Sequence, residues 1–217
     1  MLASLGKRWG LSMYRRLIKR WIDFLLALMG IIVLAIPMAV FALLVKLDSP
    51  GPVLFWQKRV GIYKKTFMMP KFRTMYTDTP ANMPTHLLND PQRWITPLGK
   101  IYRKCSIDEL PQMWCILTGD MSIIGPRPAL WNQYDLIEER DKYGANDVRP
   151  GLSGWAQING RDELEISVKA RLDGEYVEKL SFLFDCKCFF GTIFKVLKRE
   201  GVVEGGPKQE EKVLVKK

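Results

Sequence analysis

From Phe24 to Val45 the chain reads FLLALMGIIVLAIPMAVFALLV, 22 residues without a charge. At 1.5 Å per residue a straight helix of that length reaches about 33 Å, enough to cross a bilayer. A helix apolar on every face for so long rarely belongs to a soluble core. The simplest reading is a single transmembrane helix. Two features favour another path. Lys7, Arg8, Arg15, Arg16, Lys19 and Arg20 precede the run, and Lys46, Lys58, Arg59, Lys64, Lys65, Lys71 and Arg73 follow it. Positive flanks mark the cytoplasmic side, and here both flanks are positive. Pro37 sits inside the run, where it removes a backbone donor and bends the axis. A re-entrant helix over 23–46, kinked at Pro37 with both ends on one leaflet, satisfies both facts. Residues 1–22, with Trp9, Tyr14 and Trp21 among arginines and lysines, read as a basic amphipathic lead-in suited to a headgroup layer.

The remainder divides into a cytosolic domain, 47–200, and a polar tail, 201–217, expected to be disordered. Within the domain, 181–200 spaces Phe182, Phe189, Phe190, Ile193, Phe194 and Leu197 at roughly helical intervals, with Lys187, Lys195 and Lys198 elsewhere. It reads equally as a core-packing helix or as an interfacial amphipathic helix. PVLFWQKRVG and KTFMMPKFRTM read as two strands joined through Gly61. The stretch 80–98 carries four prolines and reads as a loop. IDELPQMWCILTG reads as a helix ending near Gly119, PALWNQYDLIEERDKYG as a helix from about Pro128 to Tyr143, and ELEISVKARLDGEYVEKL as a third. The glycine-rich segment between the last two reads as loop or short strand. The class is α/β, helix-dominated, with no GxxxxGK[ST] or GxGxxG phosphate loop.

A formal net charge of +10 points to anionic partners: nucleic acid, phosphorylated substrates or an anionic phospholipid membrane. The single histidine, His86, lies in a proline-rich stretch, so any acid, base or nucleophile falls to carboxylates. Four cysteines, at 105, 115, 186 and 188, form no CxxC and read as reduced, mostly buried thiols.

Three polar constellations stand out. In RKCSIDELPQMW the acids Asp108 and Glu109 are adjacent amid basic residues. Ser106 and Glu109 have the spacing of a capping box. That explains Glu109 but gives Asp108 only a place near a helix dipole, so catalysis and capping both stay open. In GDMSIIGPRPAL, Pro126 and Pro128 fix Arg127 directly before a helix, an arrangement suited to a phosphate or carboxylate. In RPGLSGWAQINGRD, Arg149, Gln157, Asn159 and Arg161 offer donors, Trp155 a stacking face, and the glycines let a ligand approach the backbone. Together they suit a nucleotide. A basic membrane-anchored adaptor or a nucleic-acid binder explains the lysines and arginines, but not DELPQ or GPRP.

KFRTM (71–75), DELPQ (108–112), GDMSIIGPRP (119–128) and VRPGLSGWAQINGR (148–161) resemble the bacterial sugar transferase family. More closely, residues 13–200 are similar to its small monotopic phosphoglycosyl transferases. The resemblance implies transfer of a sugar-1-phosphate from a UDP-sugar to undecaprenyl phosphate, with release of UMP. It implies the cytoplasmic face of the bacterial inner membrane, no nucleic-acid partner, and downstream membrane glycosyltransferases that use the product. It assigns Asp108 as the nucleophile of a covalent phosphosugar intermediate, with Glu109 beside it, and places both near Mg2+. It assigns Arg127, with Pro126 and Pro128, to phosphate and nucleotide, Arg103 to the lipid phosphate, and Lys71 to the substrate site. Family members bend the re-entrant helix at Ser-Pro. Here the pair is Ile36-Pro37, so the serine hydroxyl is missing. Met69-Pro70 also departs from the aromatic residue usual before KFRTM. The short chain leans towards modified N-acetylated sugars.

Overall fold

The computed structural model describes residues 13–79, 90–160 and 164–197. His86, Arg161 and the 201–217 tail lie outside them. Tyr14–Ile18 forms one wide helical turn that runs into α1 (Lys19–Asp48), an uninterrupted apolar helix of 30 residues. Pro37 lies inside it and, lacking an N–H, leaves the Val33 carbonyl without its helical donor.

Both ends of α1 dock on the same globular body. Near the first, Asp23 is buried and accepts from the Ser122 hydroxyl at 2.7 Å and the Ile123 amide at 3.0 Å. Ala27 packs with Met69, Cys115, Ile116 and Met121. Near the second, Val45 packs with Phe72 and Tyr102, and the Tyr102 hydroxyl donates to the Phe41 carbonyl at 3.0 Å. Between these docks one face of α1 stays against the body, with Gly30 beside the Met113 side chain and Met38 packed at the Phe72–Tyr102 cluster, while Ile32, Val33 and Ile36 on the other face are exposed. After α1 the chain leaves extended at Ser49, where the Arg73 guanidinium holds the Ser49 carbonyl at 2.7 Å and also the Pro50 carbonyl.

The expected hairpin is present. β1 (Leu54–Val60) and β2 (Thr66–Phe72) pair antiparallel, with Leu54 opposite Phe72 and Val60 opposite Thr66. At its tip the Gly61 amide donates to the Lys65 carbonyl at 2.7 Å, and Tyr63 and Lys64 both adopt the left-handed region.

Two expectations need correction. The 80–98 stretch is not all loop: α2 (Pro91–Trp94) and α3 (Pro97–Lys104) lie at its end and beyond. Each begins on a proline, whose fixed φ and missing donor suit a first turn. The Thr96 hydroxyl caps α3 by accepting from the Gly99 amide at 3.0 Å. The helix placed at 128–143 is shorter. Pro126 and Pro128 hold the chain extended, so Ala129 accepts from the Val60 amide at 3.0 Å and Leu130 bridges Arg59 at the β1 edge.

IDELPQ folds as one 3-10 segment, Ile107–Gln112, before α4 (Met113–Thr118) stops at Gly119, φ 98°. Pro111 explains the tighter start, since it cannot donate in a regular α-helix. Next come β3 (Ser122–Ile124), α5 (Tyr134–Asp141) and β4 (Gly151–Ser153). β3 and β4 pair in parallel through this crossover, a unit too short for sequence periodicity to signal. α6 (Trp155–Ile158), α7 (Ile166–Lys179) and α8 (Phe182–Leu197) complete the chain. α8 has two faces. Cys188 is buried among Tyr14, Ile124, Val148, Tyr176 and Leu180, while Phe182, Leu183, Phe189, Phe190 and Phe194 are exposed. One carboxylate ties the ends of the chain together. Asp185 on α8 accepts from Tyr14 at 2.6 Å, Lys19 at 2.7 Å and Tyr176 at 2.7 Å. The result is a helix-dominated α/β domain with one long apolar helix laid against it.

Candidate active site

The two acids sit on the 3-10 segment and face β2, its main packing neighbour. Ser106, just before them, is left-handed at φ 55°, and its side chain caps nothing. The capping-box reading is therefore overturned: the left-handed turn carries Ser106 away from the extended geometry that a capping hydroxyl needs. The turn closes through the backbone instead, the Glu109 amide donating to the Ser106 carbonyl at 3.2 Å.

Glu109 is held by two cations. Lys71 Nζ lies 2.8 Å from its Oε1 and Arg127 Nη2 2.6 Å from the same oxygen. Burial alone raises its carboxyl, but Arg127 and Lys71 outweigh it and hold Glu109 well below the usual carboxylate range. Asp108 is different. It is 8% exposed, and Lys71 is 4.0 Å away. Burial pushes its carboxyl up, and the neighbouring Glu109 charge adds to this, while Lys71, Arg103 and Arg127 oppose it. Two adjacent carboxylates are thus driven apart: one locked as an anion, the other desolvated and more basic, a division that suits a reactive group beside a positioning group.

The neighbours come from separate elements. Lys71 comes from β2. Arg127 comes from the GPRP segment, whose path is fixed by close crossing. Gly125 donates to the Ser153 carbonyl and Gly151 to the Pro126 carbonyl, each at 2.8 Å. A Cβ on Gly151 would stand 2.1 Å from the Gly125 nitrogen, so only glycine permits this crossing. Pro128 accepts from Arg59 at 2.9 Å. Arg103, on α3, donates through Nε to the Thr74 hydroxyl at 2.9 Å.

Of the expected site residues, Lys71, Arg103, Asp108, Glu109 and Arg127 converge. Pro126 and Pro128 shape the Arg127 segment. Arg149 goes elsewhere: its Nε donates to the Gly119 carbonyl at 2.8 Å, and it lines a separate cleft. Asn159 donates to the Trp155 carbonyl at 2.7 Å. Gln157 is buried near Gly154, and neither of its amide atoms has a hydrogen-bond partner among the described residues. The sequence reading missed Thr74, which steadies Arg103; its place in KFRTM was the available signal. It also missed Asp23, a lone acid at the mouth of an apolar run.

Residues 14–199 match the family described as bacterial sugar transferase. The chain is 42% identical over 158 residues to the uncharacterized sugar transferase EpsL of Bacillus subtilis, covering 73% of this chain and 76% of that protein. It is 41% identical over 194 residues to the UDP-glucose:undecaprenyl-phosphate glucose-1-phosphate transferase of Escherichia coli, covering 85% of this chain and 41% of that protein. It is 37% identical over 188 residues to the UDP-N-acetylgalactosamine-undecaprenyl-phosphate N-acetylgalactosaminephosphotransferase of Aeromonas hydrophila, covering 83% and 44%. The chain thus spans less than half the length of these last two relatives.

Proposed function

This chain belongs to the bacterial sugar transferase family, and on that premise we propose that it transfers a sugar-1-phosphate from a UDP-sugar to undecaprenyl phosphate. The observation that carries the reading is the division of the acid pair, with Glu109 pinned by Lys71 and Arg127 and Asp108 buried beside them.

In the proposed reaction a carboxylate oxygen of Asp108 attacks the phosphorus that carries the sugar. The bond from that phosphorus to the bridging oxygen breaks, and UMP leaves with the electron pair. An acyl phosphate then joins Asp108 to the sugar phosphate. An oxygen of undecaprenyl phosphate attacks the same phosphorus, and Asp108 departs as a free carboxylate. The product is a membrane-bound diphosphate sugar on which downstream glycosyltransferases can build. Desolvation makes Asp108 a stronger nucleophile than a hydrated carboxylate. Arg127, Lys71 and Arg103 mask phosphate charge so that one anion can approach another. Glu109 holds Lys71 and Arg127 in place for this.

The donor set also fits Mg2+. This ion takes oxygen ligands, usually one or two carboxylates completed by substrate phosphates and water. Among the described residues no closed group of three metal-ligating side chains occurs, so the substrate diphosphate would complete the shell. Asp108, and Glu109 beside it, would hold the ion, which would supply further neutralisation of the diphosphate.

The anchor belongs to the same proposal. α1 re-enters rather than crosses, placing the domain on the cytoplasmic face of the inner membrane. Docks on one globular body at Ala27 and Val45, the proline at 37 inside the helix and the basic residues on both flanks support this. The exposed phenylalanines of α8 would lie in the interface. Cysteine labelling at 21 and 47, exposed positions at the two ends of the helix, tests the path in sealed vesicles: the proposal expects both positions on one side, and labelling from opposite sides defeats it.

The activity is tested by UMP release from a panel of UDP-sugars, including N-acetylated and modified ones, with undecaprenyl phosphate. Wild type is expected to release UMP with at least one donor and Asp108→Asn with none. Equal turnover by the two proteins removes Asp108 from the mechanism.

A further inference from the structure

A cleft of about 770 Å3 opens between the start of α1, the hairpin tip and α7. Arg15, Lys19, Arg20, Lys65 and Arg149 line it, whereas none of Lys71, Arg103, Asp108, Glu109 or Arg127 does. It is therefore separate from the acid pair. Its basic character is only partly cancelled. Of its three acids, Asp23 accepts from Ser122 and Ile123, and Asp147 and Glu178 are exposed; Lys19 pairs with Asp185, which leaves Arg15, Arg20, Lys65 and Arg149 as the cations of the cleft.

The guanidiniums in the cleft are fixed in place. Arg20 is clamped by the Ile116 and Leu117 carbonyls at 2.5 and 2.7 Å. Arg149 is held only through Nε, by the Gly119 carbonyl. Its two terminal nitrogens make no hydrogen bond among the described residues. These carbonyls end α4, whose C-terminal dipole favours the two cations, yet the cations still repel one another. Opposite them the tight hairpin tip, with Tyr63 and Lys64 both left-handed, presents Lys65. The terminal nitrogens of Arg149, held beside Arg20 in a cleft that Arg15 and Lys65 also line, are matched by the tetrahedral oxygens of a phosphate. The surroundings indicate where that phosphate comes from. Leu17 and Trp21 are 59% and 64% exposed on the same stretch as Arg15, Lys19 and Arg20. Exposed tryptophan and leucine beside arginines suit the headgroup layer of a membrane.

We propose that this cleft binds a phosphate-bearing ligand, the phosphodiester headgroup of an anionic phospholipid. The choice of lipid rests on α1 being a membrane anchor; the cleft itself does not. Occupied, it would pin the start of α1 at headgroup depth and fix the height of the domain above the bilayer.

The test uses the full chain in a neutral detergent, titrated calorimetrically with dihexanoyl-phosphatidylglycerol, dihexanoyl-phosphatidylcholine and inorganic phosphate. These ligands are water-soluble, so the outcome does not depend on the transfer reaction or on the path of α1. Phosphatidylglycerol is expected to bind and phosphatidylcholine not. Arg15→Glu with Lys65→Glu should weaken phosphatidylglycerol by about tenfold or more, close to 1.4 kcal/mol. Lys64→Glu makes a charge reversal beside the cleft but outside it, on a residue paired with Asp141, and should change affinity by about twofold at most. An equal loss for Lys64→Glu and for the Arg15→Glu, Lys65→Glu double variant, or binding of both lipids alike, would overturn the proposal. Inorganic phosphate that binds as tightly as phosphatidylglycerol, with the same sensitivity to the reversals, supports the site and overturns the lipid as its ligand.

Discussion

Asp108 and Asp185 are both buried carboxylates set among cations and hydroxyls, and they are equipped for opposite tasks. Asp185 accepts from Tyr14, Lys19 and Tyr176 within 2.7 Å and joins the start of the chain to α7 and α8. Asp108 is about equally buried, yet Lys71 stands 4.0 Å away and the short contacts around it go to Glu109. Burial with satisfied hydrogen bonds stabilises a fold. Burial with bonding capacity left over costs stability and leaves a group able to react. Charge alone would not separate the two; the completeness of the partners does.

The largest expected effect lies at Asp108. Asp108→Asn should lower kcat by about 10^4-fold or more, the scale seen when a nucleophile is removed. The same change should leave Tm unchanged or raised. The sign follows from the upward shift. A raised carboxyl pKa favours folding in full below the ordinary aspartate value, and the benefit is lost as pH rises through the raised value. At neutral pH the ionised Asp108 therefore burdens the fold. Asp185→Asn should reverse the pattern, costing about 2–4 kcal/mol in chemical denaturation while kcat per folded molecule stays near wild type. A catalytic collapse at Asp185 without loss of stability would erase the contrast.

Glu109→Gln comes next, with a fall in kcat of about 10^2–10^3-fold in a protein that remains folded by circular dichroism. Its depressed carboxyl supports the fold above the ordinary glutamate value, and that support is lost as pH falls through the depressed value. The variant should therefore lose some Tm at pH 7, and the difference from wild type should narrow in strong acid. The pH profile offers a milder test. The acid limb of kcat/KM should fall above about pH 4, the ordinary aspartate value, because Asp108 attacks only when ionised. The smallest effect is assigned to Thr74. Thr74→Val should raise the KM for undecaprenyl phosphate about fivefold, near 1 kcal/mol for one hydrogen bond, with kcat kept and Thr74→Ser restoring it.

Much of this organisation can be read in the sequence because its signals are local. The uncharged run, the Gly61 hairpin and the DELPQ and GPRP motifs each lie in a short window. What could not be read depends on partners far along the chain. Nothing near Asp185 announces that Tyr14 and Lys19 will meet it, 171 and 166 residues away. Ala129 and Leu130 look helical until the free edge of β1 is available to them. Ser106 has the spacing of a cap, but it is the left-handed turn that decides otherwise. Thr96-Pro97 was a legible helix start, obscured by the prolines around it. Arg149 shows the limit most clearly. Its motif reads in the sequence as part of a nucleotide site, but its guanidinium turns to the end of α4 and the basic cleft there.

Everything proposed for the site turns on whether the freer of two adjacent acids carries the sugar phosphate. The direct measurement is to incubate the protein with UDP-sugar labelled in the sugar phosphate, without lipid acceptor, and to locate the label by peptide mass spectrometry. A hydroxylamine-labile label is expected on Asp108, discharged by undecaprenyl phosphate, and no label is expected in Asp108→Asn. Label on another residue, or none in a protein that turns over with acceptor present, would contradict this assignment.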